Sequence, residues 1–261
     1  MTAPDGLWWY HTIELPGGVV TKGWFDCRPV VDAIGFPTAL AGKRCLDIGT
    51  FDGFWAFEME KRGATDVTAI DLLDHMKWDW PPSMDPAIAQ RMGRAKNAGV
   101  GFEVARDALG SKVERLEMSV YELDPEIHGQ FDFIYMGSLI LHLQDPVRAL
   151  DAVRRVCRGT LLGCEGIDLA LTLAHPRAPI AVLNGVGRPW WWSPNLAGLA
   201  QMYRSAGFEV IGKPKRIFMP IGAGQPKAKP SKRWLKTGGF QQAVETLKGS
   251  PHGAIQARPS T

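Results

Sequence analysis

RCLDIGTFDGFWAFEMEKRG, residues 44–63, is the stretch on which the fold turns. Residues 44–50 form a short apolar run closed by an acid and a glycine, the pattern of a strand buried on both faces. Beyond it Trp55 and Met59 stand one helical turn apart, and Gly63 is placed to close a helix C-terminus. The order is strand, tight turn, helix. Residues 66–72 (DVTAIDL) repeat the buried-strand pattern, so the segment after Gly42 reads as a βαβ unit with a parallel sheet.

The same alternation continues outward. Residues 131–138 (FDFIYMGS) predict a further strand. Asp145 is then a helix N-cap with Pro146 at the first helical position, Val147, Leu150 and Val153 make an apolar stripe, and Gly159 is expected to end that helix. Residues 159–168 predict another strand. Ser193 and Pro194 are expected to open a helix carrying Leu196, Leu199 and Tyr203 on one face and stopping at Gly207; residues 208–219 and 253–259 read as two closing strands. Strands and helices in this order specify a doubly wound α/β domain.

With 261 residues, 45% of them hydrophobic, the chain can bury a substantial core, which excludes general disorder. No basic segment leads into an apolar one at the N-terminus, and no apolar run approaches the roughly 18 residues that span a bilayer, so a cytoplasmic protein without a membrane partner is expected. Cys27, Cys45, Cys157 and Cys164 show no metal-type spacing and read as buried free thiols. Pro and Gly are spread as punctuation, and one domain with insertions fits best.

In a doubly wound sheet, ligands bind beyond the carboxyl ends of the strands, where a glycine turn lets backbone N–H groups approach them. Residues 47–53 (DIGTFDG) lie at that place. Asp71, some 20 residues on, ends the next strand, where a carboxylate can accept hydrogen bonds from ribose hydroxyls. Turn and acid together indicate an adenosine-type cofactor; a nicotinamide dinucleotide is the competing reading, against which stands the lack of a clean GxGxxG.

These residues make the sequence resemble the class I methyltransferases that use S-adenosylmethionine, over about residues 43–260. The family's first motif corresponds to Asp47, Gly49, Phe51 and Gly53, with Phe51 where the family has its middle glycine. Phe51 is expected to stay out of the left-handed conformations open to glycine and so to change how the loop meets the methionine part. The resemblance implies a seven-stranded, mostly parallel sheet. It implies cofactor contacts from Asp47, Gly49, Thr50, Phe51 and Gly53, from Asp71 and Leu72 at the ribose, from Ser119 and Val120 at the adenine edge, and from Met136. Asp132 in the fourth strand and the run LHLQDP (141–146) fall in register with it. Residues 1–42 are then an N-terminal extension covering the cofactor site, and residues 43–261 the cofactor-binding domain with an insert at about 169–192.

A sulfonium methyl is already activated, so the enzyme must align the acceptor and remove a proton from a hydroxyl. His142, just beyond the fourth strand, is the first candidate base, and its alternative is a histidine that caps or packs the helix entry. His11, in the covering extension, is the second by family analogy. Glu165 and Asp168 can join His142 in holding a divalent cation such as Mg²⁺, or can be ordinary capping acids. Tyr10, Trp78, Trp190, Trp191 and Trp192 offer flat faces to wall an acceptor pocket, or pack as a cover on the core.

Within the family the nearest likeness is to the branch containing tRNA wobble-uridine carboxymethyltransferases, carried by MGSLILHLQDP (136–146), Trp192-Ser193-Pro194 and GAIQARP (253–259). That branch uses a carboxylated cofactor and has a tyrosine where Leu141 stands here, which favours ordinary S-adenosylmethionine. Lys213, Lys215, Arg216, Lys227, Lys229, Lys232, Arg233 and Lys236 lie in a stretch without acids and could meet RNA phosphates, or form a solvated loop. The formal net charge is only +3. The expected activity is therefore O-methylation of a small polar acceptor such as a sugar or glycoside, with tRNA wobble-uridine modification and an inactive adenosine-binding domain as alternatives.

Overall fold

The computed structural model describes residues 6–186, 188–226 and 239–260, the side chains of 239–242 excepted. Its main sheet comprises β1 (Arg44–Ile48), β2 (Asp66–Asp71), β3 (Glu114–Glu117), β4 (Phe131–Met136), β5 (Cys157–Gly166), β6 (Phe208–Met219) and β7 (Ser250–Pro259). The spatial order is β6-β7-β5-β4-β1-β2-β3, and β7 alone runs antiparallel to its neighbours. Parallel neighbours need crossovers, and the helices supply them: α1 (Phe54–Lys61), α2 (Pro86–Lys96), α3 (Val100–Leu109), the short α4 (Pro125–His128), α5 (Pro146–Val156), α6 (Leu169–Ala174), α7 (Leu196–Ser205) and α8 (Gly239–Lys248).

Alternation along the strands divides the core into two layers. Phe133 and Tyr135 point into one with Trp55, Met59 and Phe102, while Ile134 and Met136 point into the other with Leu150, Val153, Leu199 and Tyr203. The strand order reverses between β1 and β4, which opens a crevice beyond their carboxyl ends. The glycine turn of residues 49–53 sits at that switch point.

Two expectations about element ends are corrected. Gly159 does not stop a helix: α5 ends at Val156, Cys157 begins β5 directly, and Gly159 lies inside the strand because a Cβ there would overlap the Asp132 carbonyl. Ser193 and Pro194 belong to a strand, Trp192–Pro194, paired antiparallel with Ala181–Leu183. Asn195 is the N-cap of α7, its side chain accepting the Gly198 N–H at 2.7 Å. All four cysteines are free and buried. No helix among the described residues is long and apolar enough to cross a membrane. Lys213, Lys215 and Arg216 are exposed on β6, whereas Lys227, Lys229, Lys232, Arg233 and Lys236 lie outside the described residues.

Candidate cofactor and acceptor site

The turn after β1 is hooked onto β2: the Gly49 and Thr50 N–H groups donate to the Ile70 carbonyl at 2.9 and 3.2 Å. Gly49, Phe51 and Gly53 adopt φ of 76°, 53° and 91°. Phe51 thus takes the left-handed conformation that its side chain was expected to forbid. The cost, about 1–2 kcal/mol, is offset locally. The Phe51 N–H donates to Asp71 Oδ2 at 2.8 Å, and its ring stacks on Tyr10 with centroids 5.1 Å apart. Asp47 is buried, accepts the Ala56 N–H at 3.1 Å, and is pushed by burial up to about 7.

Both carboxylate oxygens of Asp71 are engaged. The residue accepts from the Phe51 N–H and, through Oδ1, from the Leu72 N–H at 2.8 Å, and it forms an ion pair with Lys96 Nζ. Lys96, on the last turn of α2, is only 5% exposed and lies between the rings of Phe51 (4.8 Å) and Trp78 (5.2 Å). Sequence reading missed this lysine, since nothing in the local pattern of α2 singles it out. A carboxylate has about four acceptor positions, and two here are tied to backbone. Lys96 is the side-chain partner, and the one of the three that can be exchanged without unfolding the loop. At the end of β3, Ser119 is spent on a capping box, taking the Tyr121 N–H at 3.4 Å while Glu122 takes the Ser119 N–H at 2.7 Å. Val120 and Met136 are buried beside it in the second core layer.

The N-terminal residues are fastened to this turn by Asp52, which is buried. Its Oδ2 accepts the Tyr10 and His11 N–H groups, each at 2.8 Å, and its Oδ1 pairs with His11 Nδ1. His11 is 2% exposed and stacks on Phe54 at 5.4 Å. It serves as a tether. Asp52→Ala strands three buried donors and is expected to cost roughly 2–4 kcal/mol and to open residues 6–25 to proteolysis. Urea unfolding and limited digestion measure both, and unchanged protection would show that the tether lies elsewhere.

On the other side of the crevice, Glu165 is buried at the end of β5. Its Oε2 accepts the Leu139 and Ile140 N–H groups at 2.8 and 3.0 Å, its Oε1 has no partner, and burial pushes it up to about 8. Asp168 caps α6 by accepting the Leu171 N–H at 2.8 Å. His142 Nδ1 lies 3.2 Å from the Pro189 carbonyl, to which it donates; burial, with Lys96 as the nearby charge, holds it below the ordinary imidazole range. Each of the three expected cation ligands has its own separate work. Among the described residues no three His, Cys, Asp or Glu groups are placed to hold a metal, so the expected Mg²⁺ site is not assembled.

The tryptophan-bearing segments meet over the crevice. Trp78 donates its indole N–H to the Leu72 carbonyl at 2.9 Å, Trp191 to the Asp79 carbonyl at 2.6 Å, and Trp192 to the Gln144 carbonyl at 3.2 Å. The Asp79 carboxylate accepts from the Tyr121 hydroxyl (2.8 Å) and the Gln144 N–H (2.9 Å). Trp190 lies under the Arg188 guanidinium, 5.8 Å from its ring centre. Asp132 is at the opposite end of the sheet, where Arg158 grips it and holds it down at about 2.

Sequence reading also passed over Ser138 and His252. The Ser138 hydroxyl is 2.9 Å from His252 Nε2, and His252 Nδ1 is 2.9 Å from the Ser250 carbonyl. A carbonyl only accepts, so Nδ1 carries the proton and Nε2 accepts from Ser138.

Comparison with known proteins gives consistent findings. The family model described as Methyltransferase domain matches residues 26–213. The ubiquinone biosynthesis O-methyltransferase of Dechloromonas aromatica is 28% identical over 152 residues, 58% of this chain and 53% of that protein. That of Marinobacter nauticus is 30% identical over 146 residues, 56% and 50% of the two chains. The match thus spans about half the length of these relatives. Among solved structures, the N-terminal domain of EvdMO1 with SAH bound superposes with a TM-score of 0.56 at 15% identity, covering 97% of this chain and 92% of that one. The Burkholderia thailandensis 1,6-didemethyltoxoflavin-N1-methyltransferase, with its substrate and S-adenosylhomocysteine, gives 0.52 at 14%, covering 90% and 76%. At such identities the likeness is one of fold.

Proposed function

The chain belongs to the methyltransferase domain family, and from that premise we propose that it moves a methyl group from S-adenosylmethionine to an oxygen of a small polar acceptor. The observation that carries the reading is Asp71 at the end of β2, beside a turn with three left-handed residues, with one exchangeable partner. That donor set suits an adenosine sulfonium. Asp71 would take the ribose hydroxyls as Lys96 yields, the backbone of residues 49–53 would face the methionine part, and residues 119–120 would edge the adenine. Bound there, the cofactor supplies an electrophilic methyl on a positively charged sulfur. The chain's own work is to align the acceptor, to exclude water and to take up a proton.

Oxygen as the acceptor atom is supported by the names of the relatives that match half the chain. A sugar or glycoside is the class we favour, because the indole N–H groups of Trp191 and Trp192 are used internally, which would leave their ring faces for a sugar. His142, just beyond β4, feels the charge of Lys96, the partner of Asp71. Recognition of tRNA rests on sequence pattern alone, and its mark would be binding that falls steeply with salt.

Calorimetric titration tests the cofactor reading. S-adenosylhomocysteine is expected to bind at micromolar concentration and a nicotinamide dinucleotide not at all. Binding of neither, or of the dinucleotide alone, would overturn it.

A further inference from the structure

Ser138, Glu165 and His252 cluster beyond the carboxyl ends of β4 and β5, beside the amino end of the antiparallel β7 and on the far side of the crevice from Asp71. Ser138, two residues past β4, is half-buried and so within reach of a ligand, whereas His252 behind it is 3% exposed. The loop that carries Ser138 is fixed twice. Its next two N–H groups go to Glu165, and the Leu139 side chain packs against Gly49, lying 3.6 Å from where a Cβ on that glycine would stand. Ser138 is therefore one residue from the cofactor turn. A run of rings leads from that turn to the histidine: Phe51 stacks on Tyr10, and the edge of Phe25 meets Tyr10 at 5.4 Å and His252 at 6.0 Å.

We propose that Ser138 meets the acceptor hydroxyl and relays its proton to His252, Ser138 being the catalytic residue of the proton transfer and His252 the positioning residue behind it. The inference rests on the methyl-transfer reading above. The acceptor proton passes to Ser138 Oγ as the serine's own proton passes to His252 Nε2. The acceptor oxygen's electron pair forms the new O–CH₃ bond, and the pair of the breaking C–S bond stays on sulfur. The imidazolium later returns its proton to water through the same hydroxyl. His252 suits the task because its Nδ1–H is anchored on the Ser250 carbonyl, which leaves Nε2 as the sole accepting nitrogen, and burial keeps the ring neutral at rest. The two imidazoles expected from the sequence are engaged otherwise: His11 is bound to Asp52, and His142 Nδ1 donates to the Pro189 carbonyl.

The test uses the full chain labelled with ¹⁵N-histidine, with the His252 signals identified by their loss in His252→Gln. Complexes with S-adenosylhomocysteine and with sinefungin, which carries an ammonium where the reactive methyl stands, differ by one positive charge at that point. The His252 ring nitrogens are expected to shift between the two complexes and those of His128 and His175 to stay. Ser138→Ala is expected to abolish the shift, since the hydroxyl faces the position of the reactive methyl, while keeping the affinity for S-adenosylhomocysteine, which has no group there, within about threefold. Ser138→Thr is expected to restore it. Identical His252 signals in the two wild-type complexes, or an undiminished shift in Ser138→Ala, would overturn the relay with the methyltransferase reading intact. Failure of both ligands to bind would remove that reading and the relay with it.

Discussion

Asp71→Ala is expected to destabilise the protein by about 3–5 kcal/mol, because it strands Lys96 as a buried cation without its partner. It also leaves the Phe51 and Leu72 N–H groups without their acceptor, in a loop that already holds a non-glycine residue at φ 53°. Lys96→Met in the same chain is expected to return most of the loss, since a thioether chain fits between the Phe51 and Trp78 rings without a charge. Stability and cofactor binding then separate. The double variant is expected to fold yet fail to bind S-adenosylhomocysteine, whereas Lys96→Met alone is expected to bind it more tightly than wild type. Urea unfolding and calorimetry on the three variants read this out; wild-type affinity in the double variant would remove Asp71 from the ribose site.

A second large effect concerns pH. Glu165 is pushed from 4.5 to about 8 and Asp47 from 3.8 to about 7 by burial, so the folded protein holds protons that the unfolded chain has released across that interval. Stability falls with rising pH wherever the native state binds more protons. The drop in melting temperature is therefore expected most clearly between about pH 6.5 and pH 8, above the range in which His142 and His252, held down by burial, act with the opposite sign. Asp132, held down at about 2 by Arg158, acts with the opposite sign and only below that window. Glu165→Gln keeps an oxygen for the Leu139 and Ile140 N–H groups, and is expected to flatten the slope and to exceed wild type in stability at pH 8.5. A wild-type melting temperature that rises through the window would mean that these carboxyls are ionised in the folded state.

The central strands were legible because β1, β2 and β4 are buried on both faces and carry continuous apolar runs. β3 was not: Glu-Arg-Leu-Glu is an edge strand with its acids exposed, and it offers neither an apolar run nor a clean alternation. Asp145 and Pro146 announced α5 through local chemistry, whereas Gly159 misled because its reason for being glycine is an approach to Asp132, a residue on a neighbouring strand. The site divides in the same way. Asp71 and the glycine turn are contiguous signals, but Lys96 meets Asp71 and His252 meets Ser138 only in the folded chain. Phe51 shows how far context overrides a local rule, since Asp71, Lys96 and Tyr10 hold it where its own backbone preference would not.

Asp79 fastens the segment after β2, the insert before α7 and the loop after β4 to one another. Pieces joined at one residue are expected to move as a single cover, so that its opening is one event rather than three.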